Sequence, residues 1–298
     1  MNSTLLMQQV INGLSLGSLY ALIAIGYTMV YGVLRLINFA HGDIMMVGAY
    51  TALFCMSSFA MPFIPALAAS ITLCAILGIL MDRVAYKPLR SAPRISLLIT
   101  AIGISFFLQN GFNVLFGSAP RSFPTPSWLD ANFVFGGIFL NRLSIVIPLL
   151  TLVLFIVIQL ILHRSKYGVA IRALAFDVQT VTLMGIDANR IIAVVFALGS
   201  SLACVGGVFY AASYPSVDPV MGTLIGLKAF GAAVLGGIGS VSGAVLGGLI
   251  IGFCEVMVVA LAPDLSGFKD AFAFVFLVFI LILRPSGILG QDFERQRF

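Results

Sequence analysis

Polar residues that could take part in chemistry cluster first around position 40, between two long apolar runs. Leu36-Ile37-Asn38-Phe39-Ala40-His41-Gly42-Asp43 brings an amide, an imidazole, a glycine and a carboxylate together. Such side chains can line a cavity beside unwound backbone at membrane depth, and Gly42 would permit the break in the helix. Asn38, His41, Gly42 and Asp43 are therefore candidates for lining a path through the protein. The alternative is a solvated turn between two helices.

Glu255 is the second candidate, because it lies in a run that is otherwise free of charge from Lys228 onward. An ionisable group inside an apolar helix is costly, so its presence indicates a function by default. We interpret it as a proton relay or a contact to a ligand. The alternative is a partnered position near the end of a helix.

Motifs of several catalytic classes are absent from the sequence. No GxxxxGK[ST] occurs, so we expect that the chain does not hydrolyse ATP itself. Ser200 could suggest an intramembrane serine protease, but the only histidines, His41 and His163, lie at the ends of apolar runs. HExxH is also missing, and the four cysteines are scattered without a CxxC pair. We predict neither an enzyme nor a cofactor or metal site.

The elements that must position these residues are membrane-spanning helices. The sequence is 60% hydrophobic and 9% charged, with a mean hydropathy of +1.12, so a bilayer is its natural solvent. Long uncharged runs must satisfy their own backbone hydrogen bonds, which predicts an all-α polytopic transmembrane bundle. One transmembrane domain covers 1–298, with a shorter segment, 224–237, as a re-entrant piece or half-helix. About eight spans are predicted, near 10–34, 44–60, 63–81, 96–116, 143–162, 191–212, 243–261 and 269–284.

Lysine and arginine set the expected orientation. The loops 82–94 and 163–190 hold half of the chain's cations and should be cytoplasmic. The segments 117–142 and 213–223 should then be external, the first as a lid or short interfacial helix anchored by Trp128. The tail, with Arg284, Arg295 and Arg297, should be cytoplasmic. The net charge of +5 follows from these loops and does not indicate nucleic-acid binding.

Glycines recur every fourth residue at Gly239, Gly243 and Gly247, with Gly248 and Gly252 behind them. A period of four places each set on one helix face, where two backbones can approach closely. A phosphate-binding loop is the alternative, but no basic residue accompanies these glycines.

The loop 164–190 is too long for a simple turn. It predicts a short amphipathic helix that ends near Gly185, with the glycine as its C-cap. Exposed apolar residues on such a helix favour a protein partner, and a helix lying on the membrane surface is the alternative.

Several of these motifs, in this order, resemble LivH-type permeases of branched-chain amino acid ABC importers. The resemblance runs nearly end to end. It is carried by GLSLGSLYALIAIGYTMVYGVLRLINFAHGDIMMVGAY at 13–50, YGVAIRALAFDVQTVTLMGID at 167–187, PVMGTLIGLKAFGAAVLGGIGSVSGAVLGG at 219–248 and LRPSGILG at 283–290.

The resemblance implies a multi-pass protein of the bacterial inner membrane. It also implies a second related permease, two ATP-binding subunits and a periplasmic substrate-binding protein as partners. The loop residues Arg172, Ala173, Asp177, Gly185 and Asp187 resemble the family's ATPase-coupling loop. Val181 and Thr182 stand where such loops usually carry a pair of alanines. On this reading Asn38, His41, Gly42, Asp43 and Glu255 are candidates for the translocation path.

Other functions remain open on the residues alone. Related permeases carry urea or short amides, and nothing in the sequence separates those substrates from leucine, isoleucine and valine. A secondary transporter would need a coupling-ion site, for which only Glu255 qualifies.

Overall fold

Helices form nearly all of the protein in a computed structural model, which describes residues 3–135 and 137–290. The α-helices are α1 (Ser3–Leu34), α2 (His41–Ser58), α3 (Phe63–Met81), α4 (Arg94–Phe116), α5 (Arg142–Arg164), α6 (Lys166–Phe176), α7 (Val178–Leu183), α8 (Ala188–Ser213), α9 (Met221–Gly236), α10 (Val241–Leu261) and α11 (Lys269–Leu283). A π-helical turn, Asp82–Tyr86, and a 3-10 turn, Lys87–Leu89, prolong α3, and a 3-10 helix, Pro263–Phe268, precedes α11.

The prediction of a polytopic helical bundle is confirmed, since seven of these helices are long and apolar enough to cross a membrane. They are α1, α3 with its extension, α4, α5, α8, α10, and α11 with its preceding turn. Two predicted segments, 44–60 and 224–237, are not among these seven helices. The helix α2 carries His41 and Asp43 in its first turn, and α9 has only 16 residues, yet both are mostly buried inside the bundle.

The segment 117–142 corrects one expectation. In place of an interfacial helix it forms an antiparallel hairpin of β1 (Asn132–Phe135) and β2 (Ile138–Asn141), with Asn132 paired to Asn141. Both strands are rich in aromatic and β-branched residues, which favour strand over helix, and Gly137 lies in the turn between them with φ of +82°. Trp128 is half-exposed before the hairpin, and its ring packs edge-on against Phe63 with centroids 6.0 Å apart.

The bundle has a central group of helices and an outer group. Large parts of α1, α2, α8 and α9 are buried, and their residues make up much of the hydrophobic core. The helices α4, α5 and α11 cover this centre and expose apolar side chains, such as Phe107 at 76% and Val114 at 85%. An outer surface of this kind suits hydrocarbon and not water.

Hydrogen bonds sort the loops into two ends of the bundle. At one end, which we call the hairpin end, Phe139 N donates to Gln8 Oε1 over 2.9 Å, and Arg121 pairs with Val217. At the other, the α6 end, Arg35 Nη2 donates to Ala175 O over 3.1 Å, and Arg90 Nη1 donates to Asn189 Oδ1 over 2.7 Å. Loops that were predicted to lie on the same side of the membrane are thus found at the same end of the bundle. That the α6 end faces the cytoplasm stays a prediction.

Candidate functional site

A cavity of about 770 Å³ opens at the hairpin end and reaches into the bundle. It lies between the N-terminal halves of α1, α9 and α11 and the C-terminal ends of α8 and α10, with the hairpin segment beside it. Its volume falls in the range typical of sites for small organic ligands. Apolar residues of the lining include Leu16, Leu19, Leu224, Ile225 and Val256.

Charged side chains form one part of the cavity lining. Lys228 Nζ on α9 donates to both carboxylate oxygens of Glu255 on α10, each over 2.9 Å. The Tyr20 hydroxyl on α1 donates to Glu255 Oε2 over 2.8 Å and accepts from Lys228 Nζ over 3.2 Å. Lys228 and Glu255 are both buried, so this three-residue contact joins three helices within the membrane region.

Two more charges border this contact on α11. Lys228 Nζ lies 2.5 Å from Asp270 Oδ1, and Lys269 Nζ lies 3.5 Å from Glu255 Oε1. Asp270 is partly exposed and Lys269 about half exposed, so both lie towards the mouth of the cavity. We call Lys228, Glu255, Lys269 and Asp270 the charge cluster. It contains two cations and two carboxylates and is electrically balanced.

Tyrosines complete the polar wall. Tyr210 and Tyr214 line the cavity, with ring centroids 4.8 Å apart. Tyr214 follows the end of α8 and is about half exposed, and its partial burial together with the nearby Glu255 carboxylate raises the pKa of its phenol. The hydroxyl therefore stays protonated at neutral pH and remains available as a hydrogen-bond donor.

Small residues explain how α1, α9 and α10 bring Tyr20, Lys228 and Glu255 together. A Cβ at Gly247 of α10 would collide with the Ala232 carbonyl of α9, and one at Gly243 with the Gly236 carbonyl. On the other face of α10, a Cβ at Gly248 would lie 2.5 Å from Ala21 N of α1. Close approach of backbones on both faces holds α10 between α1 and α9, as small-residue packing does in membrane helices. Lys228, Glu255 and Tyr20 thereby meet.

The structure corrects the prediction for Gly239. This residue precedes α10, in the turn after α9, with φ of +94°, and a Cβ there would meet open space. The helix begins only at Val241, capped by Ser240, whose side chain accepts from Gly243 N. Gly239 is therefore a turn residue, and the face with a period of four starts at Gly243.

Among the candidate path residues, Glu255 lines the cavity, whereas Asn38, His41, Gly42 and Asp43 do not. The segment 35–40 is unwound, and it returns from the end of α1 into the bundle before α2 begins. A Cβ at Gly26, eight residues before Leu34, would lie 2.6 Å from His41 Nε2. At about 1.5 Å per residue, the His41 ring thus lies level with a point of α1 about 12 Å from its end, and because Asn38 and His41 are buried the segment is no solvated turn.

Protein groups surround these four residues. The Tyr86 hydroxyl donates to Asn38 Oδ1 over 2.7 Å, and the same oxygen accepts from Ala40 N over 3.1 Å. Asp43 Oδ1 accepts from the Gln109 side chain over 2.9 Å. The His41 ring packs against Tyr27, with centroids 4.4 Å apart. Gly42 touches the backbone of α9 at Gly222, where a Cβ has no room. We call Asn38, His41, Gly42 and Asp43 the packed polar segment.

The predicted coupling-loop residues lie at the α6 end, on two short helices instead of one. Asp177 separates α6 from α7, and Arg172 and Asp177 are exposed while Ala173 is half-buried. Gly185 has φ of +81° just after α7, so it ends that helix in the left-handed region that favours glycine. Asp187 caps α8, where its side chain accepts from Asn189 N and Arg190 N.

Sequence reasoning missed Lys228 and Asp270. In the sequence, Lys228 marks the boundary of an uncharged run and is the only charge in the short apolar segment of α9. The available signal was the pairing of opposite charges, because a buried carboxylate in one helix requires a partner in another. No group of three or more His, Cys, Asp or Glu side chains able to hold a metal occurs among the residues the structure describes.

Comparison with known proteins places the chain in a family. The family model described as the permease component of branched-chain amino acid transport systems matches residues 9–283. The chain belongs to this family. It is 44% identical to the high-affinity branched-chain amino acid transport system permease protein BraD of Pseudomonas aeruginosa, over 96% of both chains. It is 38% identical to the corresponding protein LivH of Escherichia coli, again over 96% of both chains.

Proposed function

We propose that the chain is the membrane-spanning permease subunit of an ABC importer, and that it translocates leucine, isoleucine and valine delivered by a periplasmic binding protein. The observation that carries this proposal is the family match over 9–283, with relatives named as permease proteins of high-affinity branched-chain amino acid transport systems at 44% and 38% identity over nearly the whole chain. The bacterial inner membrane is the corresponding location for the multi-pass bundle.

The cavity supports this assignment through its composition. Its aliphatic lining suits a branched apolar side chain, and its charges and tyrosines suit a polar head group. It opens at the hairpin end, which the distribution of lysine and arginine places outside, where a binding protein would deliver its ligand. The subunit acts by transport and is not itself a catalyst.

Energy for transport must come from separate subunits, because the sequence contains no P-loop. The helices α6 and α7 expose apolar side chains at the α6 end, among them Val169 at 56% and Leu183 at 89%. Such a surface favours a protein partner. Two ATP-binding subunits, bound beneath this chain and a second related permease, would supply that partner.

Contacts between the α6 region and the bundle support a coupling role. Arg35, at the start of the unwound segment, donates to Ala175 O near the end of α6. Arg90, which also pairs with Asp82, donates to Asn189 at the start of α8. Motion of α6 would therefore reach the end of α1 through a hydrogen bond, and the turn after α3 is joined in the same way to the start of α8.

Two alternatives are urea or short amides as the substrate, and secondary transport without ATP. The experiment that separates them uses the permease pair, the ATPase subunits and the binding protein reconstituted in liposomes. We expect uptake of radiolabelled leucine, isoleucine and valine that requires both ATP and the binding protein. Uptake of urea without leucine would contradict the substrate, and uptake driven by an ion gradient without ATP would contradict the mechanism.

A further inference from the structure

The charge cluster combines burial of its central charges with access to a cavity that could hold a ligand. Lys228 and Glu255 are both 3% exposed, yet both line the cavity of about 770 Å³. A buried ion pair is seldom a net source of stability, because the desolvation of two charges offsets their attraction. Apolar side chains would therefore hold α9 and α10 together equally well, and glycine contacts already join the two helices.

The chemistry of the cluster fits one class of ligand. Lys228 is a fixed cation that a carboxylate would contact, and Glu255 and Asp270 are fixed anions that an ammonium group would contact. The two lysines and two carboxylates of the charge cluster cancel, so the cluster itself favours neither an anion nor a cation, and Asp130 adds one exposed carboxylate elsewhere in the lining. A zwitterion presents both charges at once and leaves no buried charge without a partner.

The apolar part of the cavity lining lies next to the charge cluster, so a ligand that fits both has a charged part and an apolar part. Leu16 and Leu19 of α1 and Ile225 of α9 are buried residues of the lining, on the same two helices as Tyr20 and Lys228. An α-amino acid with an aliphatic side chain carries a zwitterionic head and an apolar tail in this arrangement.

We infer that Lys228 and Glu255 bind the α-carboxylate and the α-ammonium group of the transported amino acid. Lys228 receives the carboxylate, and Glu255, held by the Tyr20 hydroxyl, receives the ammonium group, with Asp270 as the second anion at the mouth. The Lys228–Glu255 pair is thus the resting state of a site that opens to a ligand. This inference rests on the proposed function, because it assigns the substrate contacts of the same transporter.

Uptake by the full complex in liposomes tests the inference, with the binding protein unchanged throughout. We expect Lys228→Met and Glu255→Gln each to lower leucine uptake about tenfold or more, since each removes a charge-assisted contact. The deciding variant is the double replacement Lys228→Met/Glu255→Gln, which removes both charges of the buried pair and leaves only the partly exposed Lys269 and Asp270. The inference predicts that the double variant transports as poorly as the single ones, while it assembles with normal yield.

A purely structural ion pair predicts the opposite result, because the double variant would then regain uptake near that of the wild type. Thr151→Val is the matched control. Thr151 is buried and donates to Ser18 O outside the cavity, so its loss should leave uptake within about twofold. Recovered uptake in the double variant would overturn the inference and leave the proposed function standing, whereas absent leucine uptake in the wild type would overturn the function.

A second measurement needs no variant and so does not depend on folding of altered chains. The wild-type complex in nanodiscs, without binding protein, is heated with millimolar leucine, with 4-methylpentanoate or with 3-methylbutylamine. Each analogue keeps the branched tail and one of the two charges. We expect leucine to raise the unfolding temperature and either analogue to raise it much less, because only bound ligands stabilise. Equal shifts for all three, or no shift with leucine, would overturn the inference.

Discussion

The charge cluster and the packed polar segment both place polar side chains deep among apolar helices, yet their surroundings differ. In the charge cluster, Lys228 and Glu255 are bonded to each other and face a cavity. In the packed polar segment, Asn38 and Asp43 accept from Tyr86 and Gln109, and Gly42 lies against α9. Polar side chains in a membrane bundle can thus face a cavity that holds a ligand, or they can form hydrogen bonds that hold unwound backbone inside the bundle.

Polarity by itself therefore does not locate a transport site. The packed polar segment has the richer set of residue types, but its side chains are enclosed by Tyr27, Tyr86 and α9. The charge cluster has fewer residue types, but the helices around it leave open volume beside the charges. Space next to the polar atoms, and not their number, separates the two regions.

The largest effect should follow a change that fills the packed polar segment. Gly42→Leu would drive a side chain into the Gly222 carbonyl and within 2.9 Å of Gly226 Cα, with no flexible neighbour to move aside. Overpacking of this kind costs about 3 kcal/mol or more. We expect little monodisperse protein after detergent extraction, measured by size-exclusion chromatography.

The control for this experiment is Gly103→Leu on α4. A Cβ at Gly103 would meet open space, so this variant should be recovered with normal yield. If Gly42→Leu were recovered as well as Gly103→Leu, the segment would be loosely packed and the contrast with the cavity would disappear.

An intermediate effect is expected at the α6 end, which extends the comparison to a surface that faces a partner. Gly185→Val would be strained at φ of +81°, and Arg172→Glu would reverse a charge on exposed α6. Loss of one charged contact across an interface is worth about tenfold or more in affinity. We expect both variants to insert normally but to lose bound ATPase, or to hydrolyse ATP without uptake.

Subunit stoichiometry, ATP hydrolysis and uptake should be measured on the same preparations of these variants. Gly267→Val supplies the control, because Gly267 is exposed, lacks a left-handed φ and lies next to α11 at the opposite end. Full stoichiometry and full uptake in both α6-end variants would show that α6 and α7 merely lie on the membrane surface.

The smallest effects come from single hydroxyl groups, one in each region. Tyr20→Phe removes the donor to Glu255 Oε2, and Tyr86→Phe removes the donor to Asn38 Oδ1. Each loss should cost about 1 kcal/mol of stability. We expect only Tyr20→Phe to lower leucine uptake severalfold, because only this hydroxyl belongs to the cavity. Similar uptake by the two variants at similar unfolding temperatures would erase the functional difference between the regions.

Helices were predictable from the sequence because the requirement to satisfy backbone groups in a bilayer allows little else. The helix end at Gly185 was predictable for a local reason, since glycine readily adopts the left-handed conformation seen there. The hairpin at 132–141 was not, because two strands of four residues give too short a pattern to distinguish from a loop.

The site was only half predictable. Glu255 was evident as a lone carboxylate in an apolar helix, but its partner Lys228 lies in another helix, and sequence spacing does not say which helices touch. The glycines at Gly243 and Gly247 predicted a close helix contact, and the structure identifies α9 as the helix they meet. The depth of the packed polar segment could not be predicted, since a short unwound stretch can lie outside the bundle or return into it.

Thiol labelling of intact and inverted vesicles shows whether the substrate path passes the cavity or the packed polar segment. In a chain whose cysteines at 55, 74, 204 and 254 are replaced by alanine, Ser144→Cys places a thiol in the cavity, and Ala40→Cys places one beside the packed polar segment. We predict that an impermeant maleimide labels position 144 from the outside only, less when leucine-loaded binding protein and the complete complex are present, and does not label position 40 from either side. Labelling at position 40 that leucine suppresses, with position 144 unaffected by leucine, would contradict the account.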